Sequence, residues 1–97
     1  MVTLIAKIKT KEGEIDAVSE LFKELVTKVR EEKGTVSYAV CLNGAEPDTL
    51  TVVERYQDME AIQAHSSSTY FKEFSRAIAP HLDGKPAISL LEEIASI

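Results

Sequence analysis

Glu54 is a residue whose surroundings point to chemistry. It lies in the β-branched, apolar run from Thr49 to Tyr56, a composition typical of a strand. The other even-numbered positions of that run are apolar, so the carboxylate shares their face. A carboxylate among apolar neighbours is either paired with a cation or has a raised pKa. Lys7, Arg55 or a cation of a partner chain could provide the pairing, and the sequence leaves both interpretations open.

His65 is the second residue that could take part in acid–base chemistry. It lies one turn beyond Ala61 and Ile62 in a short predicted helix, on the face that should look inward. An imidazole can act as an acid, a base or a hydrogen-bond donor near neutral pH. A single inward histidine is also common as a structural residue, so its position alone does not decide its role. The other histidine, His81, is predicted to be an exposed contact near a helix end.

Four aromatic side chains are candidate substrate contacts. Tyr38 shares a face with the apolar residues of the second predicted strand, so its hydroxyl needs a partner or a ligand if it is buried. Tyr70, Phe71 and Phe74 follow His65 closely in the chain. The spacing of the two phenylalanines is equally typical of an ordinary helix core, which needs no ligand to explain it.

The sequence carries no motif for a bound cofactor or a metal ion. Glycine-rich nucleotide loops and the GxSxG and HExxH motifs are absent, and no histidines or acidic residues have the spacing of metal ligands. The single cysteine, Cys41, excludes an internal disulfide and favours a reducing compartment. We therefore expect any activity to proceed without a metal or a bound cofactor.

Charge and hydropathy argue against two classes of partner. The net charge is −5, and no cluster of Lys and Arg supplies the basic surface that nucleic acid requires. No stretch approaches the ~18 consecutive apolar residues of a membrane span. Lys7 and Lys9 interrupt the apolar N-terminal segment too early for a signal peptide. These features predict a cytoplasmic protein with neither nucleic-acid nor membrane partners.

Hydrophobic periodicity predicts the elements that position these residues. Their order is strand, helix, strand, strand, two helices and strand, at residues 2–9, 14–33, 35–43, 49–56, 59–66, 70–82 and 87–94. Gly34 is placed to end the first helix in a left-handed conformation, Asp58 to cap the second, and Pro80 to bend the third. This order predicts one α+β domain over residues 1–97. Its fold is the ferredoxin-like split βαβ arrangement, a four-stranded antiparallel sheet with helices on one face.

Both faces of the predicted sheet carry apolar groups. Ile5, Ala39 and Val53 lie on the face opposite to Leu4 and Val52. An apolar face left open on a small monomer is an association site. We therefore expect a homodimer in which a second copy covers the sheet face that the helices leave open, and the sequence does not decide which of the two faces this is.

Taken in order, these features resemble the antibiotic biosynthesis monooxygenase family of dimeric α+β barrels, which includes small quinol monooxygenases. The resemblance covers nearly the whole chain. It rests on the opening strand, a helix begun at Gly13, Glu32-Lys33-Gly34, the strand with Tyr38, Glu54-x-Tyr56-x-Asp58, Ala61-x-x-x-His65 and Tyr70-Phe71.

The resemblance implies a small-molecule substrate in an apolar cavity between the sheet and the helices of each subunit. Family members that oxygenate use no flavin or metal, because an electron-rich phenolate can itself reduce molecular oxygen, the co-substrate. The protein then supplies desolvation, orientation, a base and hydrogen bonds. His65 and Glu54 match the family's histidine and strand-end glutamate, which makes them the candidate catalytic residues. The implied activity is oxidation of a quinol or another phenolic ring.

The same fold supports other functions. The haem-degrading branch has Trp in place of His65 and Asn in place of Lys7, with a haem-ligating His near Ser75, so haem degradation is not expected. Another branch isomerises a phosphorylated sugar, which here would require Lys7, Arg55 or Arg76 to face the cavity. A third alternative is a non-catalytic, small-molecule-binding or stress-response dimer, whose pocket would be closed or dry.

Overall fold

A four-stranded antiparallel sheet carries three helices on one of its faces. The computed structural model describes residues 1–97. Its elements are β1 (Val2–Lys9), α1 (Ile15–Val29), β2 (Thr35–Leu42), β3 (Thr49–Tyr56), α2 (Met59–Ser67), α3 (Thr69–Ile78), a 3₁₀ turn (Ala79–His81) and β4 (Ala87–Glu92). The strand order β2-β3-β1-β4, with every neighbouring pair antiparallel, confirms the predicted ferredoxin-like α+β fold.

The core lies between the sheet and helices α1 and α3. Strands β1 and β3 contribute alternate residues to it, as period two requires. Phe22 of α1 and Phe74 of α3 meet there with ring centroids 4.7 Å apart. The buried apolar side chains are Ala6, Ile8, Val18, Phe22, Leu25, Val29, Leu50, Val52, Phe74 and Ile78. None of the helices combines the length and the apolar character that crossing a membrane demands.

The first helix is shorter than predicted. It ends at Val29 rather than near residue 33. The amides of Glu31 and Glu32 donate to the carbonyls of Lys28 and Val29, three residues back, at 3.1 and 2.9 Å. This tighter hydrogen-bond pattern carries the chain out of the helix, so Glu32 lies in the turn between α1 and β2.

The predicted left-handed conformation of Gly34 is wrong. Positive φ angles occur at Gly13 and Gly84 but not at Gly34. A Cβ added at Gly34 would lie only 2.5 Å from the Cβ of Ala61 in α2. The glycine is therefore explained by the close approach of α2 to the start of β2.

A β-bulge interrupts the pairing of β2 with β3. The register shifts between Thr35 and Ser37, and Val36 is 41% exposed, although strict alternation would place it on the same face as Tyr38. Beyond the bulge the pairing is regular and places Tyr38 opposite Glu54. The two side chains therefore project from the same face of the sheet.

The second half of the chain follows the predicted pattern with one shortened helix. Asp58 caps α2 as predicted, since its side chain accepts a hydrogen bond of 2.9 Å from the amide of Ala61. Ser68 separates α2 from α3 and caps α3 through a bond from the amide of Phe71. Helix α3 ends at Ile78, and Pro80 lies in the 3₁₀ turn because proline cannot continue the helical hydrogen-bond ladder.

No helix covers the opposite face of the sheet, hereafter the outer face. Ile5 and Val53 lie opposite each other there, and both are partly exposed. At one end of this face the Arg55 guanidinium donates to both carboxylate oxygens of Glu93, at 2.8 and 3.1 Å. Thr3 Oγ1 donates to the same carboxylate at 2.9 Å. Arg55 thus points away from the helices and does not pair with Glu54.

Candidate active site

A cavity of about 300 Å³ lies between the sheet and the helices. Most of its lining is hydrophobic, and none of the lining residues is Lys or Arg. Tyr38, Glu54, His65, Phe71 and Phe74 all contribute to the lining, so the fold brings together five of the six predicted site residues. Such a cavity favours an apolar body with a few polar atoms.

His65 lies at a point where three aromatic rings converge. It is 3% exposed on the inner side of α2. Its ring centroid is 4.6 Å from that of Phe71, 5.5 Å from that of Tyr38 and 5.7 Å from that of Tyr56. These neighbours hold the imidazole in one place and exclude water from it.

Glu32 anchors the imidazole from outside the cavity lining. Its two carboxylate oxygens lie 3.1 and 3.0 Å from His65 Nδ1. Thr35 Oγ1 donates to the same carboxylate at 2.6 Å, and so does the Tyr70 hydroxyl. Burial by itself raises the pKa of Glu32, but the hydrogen bonds from Thr35, Tyr70 and His65 outweigh it, and the pKa lies below the ordinary glutamate value.

The other ring nitrogen of His65 has no partner. Nε2 is buried and makes no hydrogen bond within the chain. Buried polar atoms are nearly always satisfied in folded proteins, so an exception at the wall of a cavity calls for an explanation. A polar atom of a bound molecule would provide the missing partner.

Glu54 lies in a different environment from Glu32. It is 6% exposed, and its hydrogen bond comes from the Tyr56 hydroxyl rather than from a cation. Burial raises the pKa of Glu54 to about 7, a rise that the Tyr56 hydrogen bond opposes and the charge on Glu32 reinforces. No cation pairs with Glu54, so the geometry favours the raised pKa among the two interpretations that the sequence left open.

The two glutamates are suited to different tasks. Opposite pKa shifts on two neighbouring carboxyls identify one as a permanent charge and the other as a group that gains and loses a proton near neutral pH. Glu32 has the lowered pKa and Glu54 the raised one. Glu54 can therefore exchange a proton with a ligand, and Glu32 can orient His65.

The cations of the chain lie away from the cavity. Lys7 pairs with Glu46 at 2.6 Å, and Arg55 pairs with Glu93 on the outer face. Arg76 is exposed on α3 and is not part of the lining. No group of His, Cys, Asp and Glu side chains has the arrangement of a metal site.

Comparison with known proteins assigns the chain to a protein family. The sequence profile of the family described as antibiotic biosynthesis monooxygenase matches residues 1–77 of the chain. The chain belongs to the antibiotic biosynthesis monooxygenase family. Membership supports a monooxygenase-type function.

Proteins similar to the chain were found both by sequence and by structure. The probable quinol monooxygenase YgiN of Escherichia coli K12 is 28% identical over 88 residues, which covers 80% of this chain and 85% of YgiN. A crystal structure of an antibiotic biosynthesis monooxygenase superposes with a TM-score of 0.90 at 25% identity, covering 98% of this chain and 100% of that one. A conserved protein from Methanosarcina mazei Go1 also gives a TM-score of 0.90 at 25% identity, over 95% and 91% of the two chains.

Two residues of the candidate site have contacts that the sequence interpretation missed. Glu32 was noted only in the Glu32-Lys33-Gly34 segment, yet it is the partner of His65. Tyr56 donates to Glu54, and strand periodicity, which places residues two apart on one face, could have predicted this pair. Tyr70, predicted to contact substrate, lies outside the cavity lining, and its hydroxyl is committed to Glu32.

Proposed function

We propose that the chain is a monooxygenase that oxidises a phenolic or quinol ring in this cavity, with molecular oxygen as co-substrate and no bound cofactor. The single observation that carries the proposal is the pairing of a hydrophobic cavity with an unpartnered imidazole nitrogen on His65. A flat aromatic ring fits the hydrophobic cavity, and one ionisable hydroxyl on it can hydrogen-bond to the unpartnered nitrogen of His65. Family membership and the similarity to a quinol monooxygenase add support.

The reaction balances without an added reductant. A hydroquinone, C₆H₆O₂, and O₂ give a hydroxybenzoquinone, C₆H₄O₃, and water. The ring supplies all four electrons that reduce O₂, one oxygen atom enters the ring, and the other leaves as water. The protein needs only to assist loss of the ring protons and to hold the ring away from bulk water.

The proposed roles of the residues follow from their chemistry. His65 accepts the hydroxyl proton and so generates the electron-rich phenolate. Glu54, with a pKa of about 7, takes or returns the second proton. Phe71 and Phe74 provide apolar ring surface, and Tyr38 presents its hydroxyl at the edge of the substrate.

A phosphorylated metabolite fits this cavity poorly. Such a ligand needs basic groups, whereas Lys7, Arg55 and Arg76 all lie outside the lining. Two carboxyl groups, Glu32 and Glu54, add negative potential where a phosphate would have to approach. The isomerase alternative thereby loses the feature on which it depended.

The proposal includes a homodimer formed through the outer face. Its support is the apolar surface around Ile5 and Val53, which no helix covers. A second copy with the same surface would cover it without any further partner.

Oxygen uptake with a panel of hydroquinones and naphthols tests the activity. We expect uptake that depends on protein, with catalase releasing no oxygen afterwards, because monooxygenation yields water whereas autoxidation yields peroxide. His65→Ala should reduce the rate by about 100-fold or more. His81→Ala is the matched control, since His81 pairs with Glu14 and does not line the cavity.

Equal rates in wild type and His65→Ala would remove His65 from the mechanism. Uptake no faster than the protein-free reaction across the panel would contradict the proposed activity itself.

A further inference from the structure

Glu32 is a carboxylate surrounded by hydrogen-bond donors. Thr35 Oγ1 and the Tyr70 hydroxyl donate to different oxygens of this group. His65 Nδ1 lies within 3.1 Å of both oxygens. A neutral carboxyl would have to donate a proton of its own among these donors, so the arrangement fits a charged acceptor. Its lowered pKa has the same cause.

The Glu32 carboxylate constrains which nitrogen of His65 carries the proton. A neutral imidazole has one N–H donor and one lone pair. With the proton on Nε2, the Nδ1 lone pair would face a carboxylate oxygen at 3.0 Å, and Nε2–H would be a buried donor without an acceptor. With the proton on Nδ1, the contact with Glu32 becomes a charge-assisted hydrogen bond.

We propose that Glu32 is a positioning residue that holds the His65 proton on Nδ1 and thereby leaves the Nε2 lone pair free to accept a proton from a ligand hydroxyl. In that step the ligand O–H bond breaks and an N–H bond forms at Nε2. The resulting imidazolium lies against the Glu32 carboxylate, which stabilises it. The identity of the proton donor rests on the proposed function, whereas the tautomer is a property of the free protein.

Tyr70 and Thr35 acquire a role in this arrangement. Their hydroxyls occupy the remaining lone pairs of Glu32 and restrict rotation of the carboxylate. Tyr70 therefore acts on the substrate through Glu32 and His65 rather than by contact. The distance between Glu32 and His65 depends on the turn that ends α1, because that turn carries Glu32.

Long-range proton–nitrogen NMR of the His65 ring tests the proposal in the unliganded protein. In wild type we expect the neutral ring to carry its proton on Nδ1, with the Nε2 resonance of an unprotonated nitrogen. A wild-type spectrum with the proton on Nε2 would overturn the proposal without any variant being needed.

Glu32→Gln removes the charge and one acceptor oxygen while keeping the shape. One carbonyl oxygen must then serve three donors, and the new amide can donate to Nδ1, so we expect a substantial population with the proton on Nε2. Glu31→Gln is the matched control: the same chemical change on the adjacent, exposed residue. An unchanged His65 spectrum in folded Glu32→Gln would overturn the proposal. Should that variant fail to fold, Tyr70→Phe, which keeps the carboxylate, should show a smaller change in the same direction.

Kinetics separates this proposal from the proposed function. For an accepted substrate, Glu32→Gln should lower kcat by at least about tenfold and leave KM within about threefold, because the loss concerns proton transfer rather than binding. A tautomer change in Glu32→Gln with no oxygen uptake by wild type would sustain the positioning role and contradict the monooxygenase. Oxygen uptake by wild type, with kcat unchanged in Glu32→Gln, would instead sustain the monooxygenase and contradict the positioning role.

Discussion

Val52 and Val53 are neighbours on β3, but they belong to different environments. Val52 is 1% exposed beneath the helices, among residues the chain itself supplies. Val53 lies on the outer face, opposite Ile5, where no helix covers the sheet and the side chain is partly exposed. The helices therefore account for the burial of Val52, and we propose that a second copy of the chain buries Val53.

The free energy expected from burying apolar area at the proposed interface shows why the outer face matters. At roughly 25 cal/mol per Å² of apolar area, half of a standard interface of about 1,600 Å² contributes on the order of 20 kcal/mol before entropy costs. Those costs are large, yet the remainder is sufficient for a dimer at micromolar concentration. The following changes test the contrast between the two faces, from the largest expected effect to the smallest.

Val53→Asp should have the largest effect. A carboxylate facing its own copy across the proposed interface is desolvated and repelled, at a cost of at least several kcal/mol. We expect sedimentation velocity to show monomers or unfolded protein where wild type at tens of micromolar shows dimers. Glu31→Lys, an exposed change outside this face, should leave the dimer intact. A wild-type monomer at that concentration would contradict the proposed dimer.

Truncating one leucine on each face should separate core stability from association. Leu50→Ala, in the buried core, should lower the free energy of unfolding by about 2–5 kcal/mol. Leu91→Ala, paired with Thr3 on the outer face, should instead weaken the dimer. Thermal melts at several protein concentrations distinguish the two, because only the second loss diminishes as concentration rises. If the loss in melting temperature is independent of protein concentration for both variants, that result would count against the proposed interface.

Glu54→Gln should remove a pH dependence of stability that originates on the inner face. The folded pKa of about 7 exceeds the ordinary value of 4.5, so the native state holds more protons between these values and loses stability as pH rises through them. The loss at pH above 7 is about 3 kcal/mol, from 1.36 kcal/mol per pKa unit. Urea titrations at about pH 5 and pH 8 should show this slope in wild type and a flatter one in Glu54→Gln. Identical slopes would mean that Glu54 has an ordinary pKa.

Glu93 on the outer face should have the opposite and smaller pH dependence. The Arg55 hydrogen bond lowers the pKa of Glu93 to about 2, against the opposing effect of burial. Its contribution to stability is therefore present above the ordinary value of 4.5 and disappears as pH falls through about 2. Glu93→Gln should shift acid unfolding slightly to higher pH, and added salt should reduce the difference. A change in the pH dependence of the unfolding free energy as large as that from Glu54→Gln would contradict this ranking.

Strand periodicity was sufficient to predict which residues share a face. Alternation alone placed Val52 and Val53 on opposite faces, and the same rule brought Tyr38 and Glu54 to one side. Which of the two faces the helices cover had to come from the structure. The position of His65 on the inner side of α2 followed from helical spacing in the same way.

The Glu32 contact could not be predicted from spacing. The apolar pattern stops at Val29, but the helix was extended to residue 33 because Gly34 was interpreted as its end, and a helical Glu32 would have a different direction. The amides of Glu31 and Glu32 instead bond to carbonyls three residues back, a local change of geometry that the apolar pattern does not contain. Tyr70 was predicted to contact substrate because its hydrogen-bond partner, Glu32, was not known from the sequence.

The close contact between Gly34 and Ala61 has a consequence for how this sequence can diverge. With 2.5 Å between the position of an added Cβ and the Cβ of Ala61, a side chain at 34 would push α2 outward and lengthen the distance from Glu32 to His65. Only a smaller residue at 61 would relieve the clash, so substitutions at these two positions should appear together among descendants. A collection of related sequences should therefore show Gly at 34 nearly invariant, or changing only when residue 61 becomes Gly, although neither residue lines the cavity.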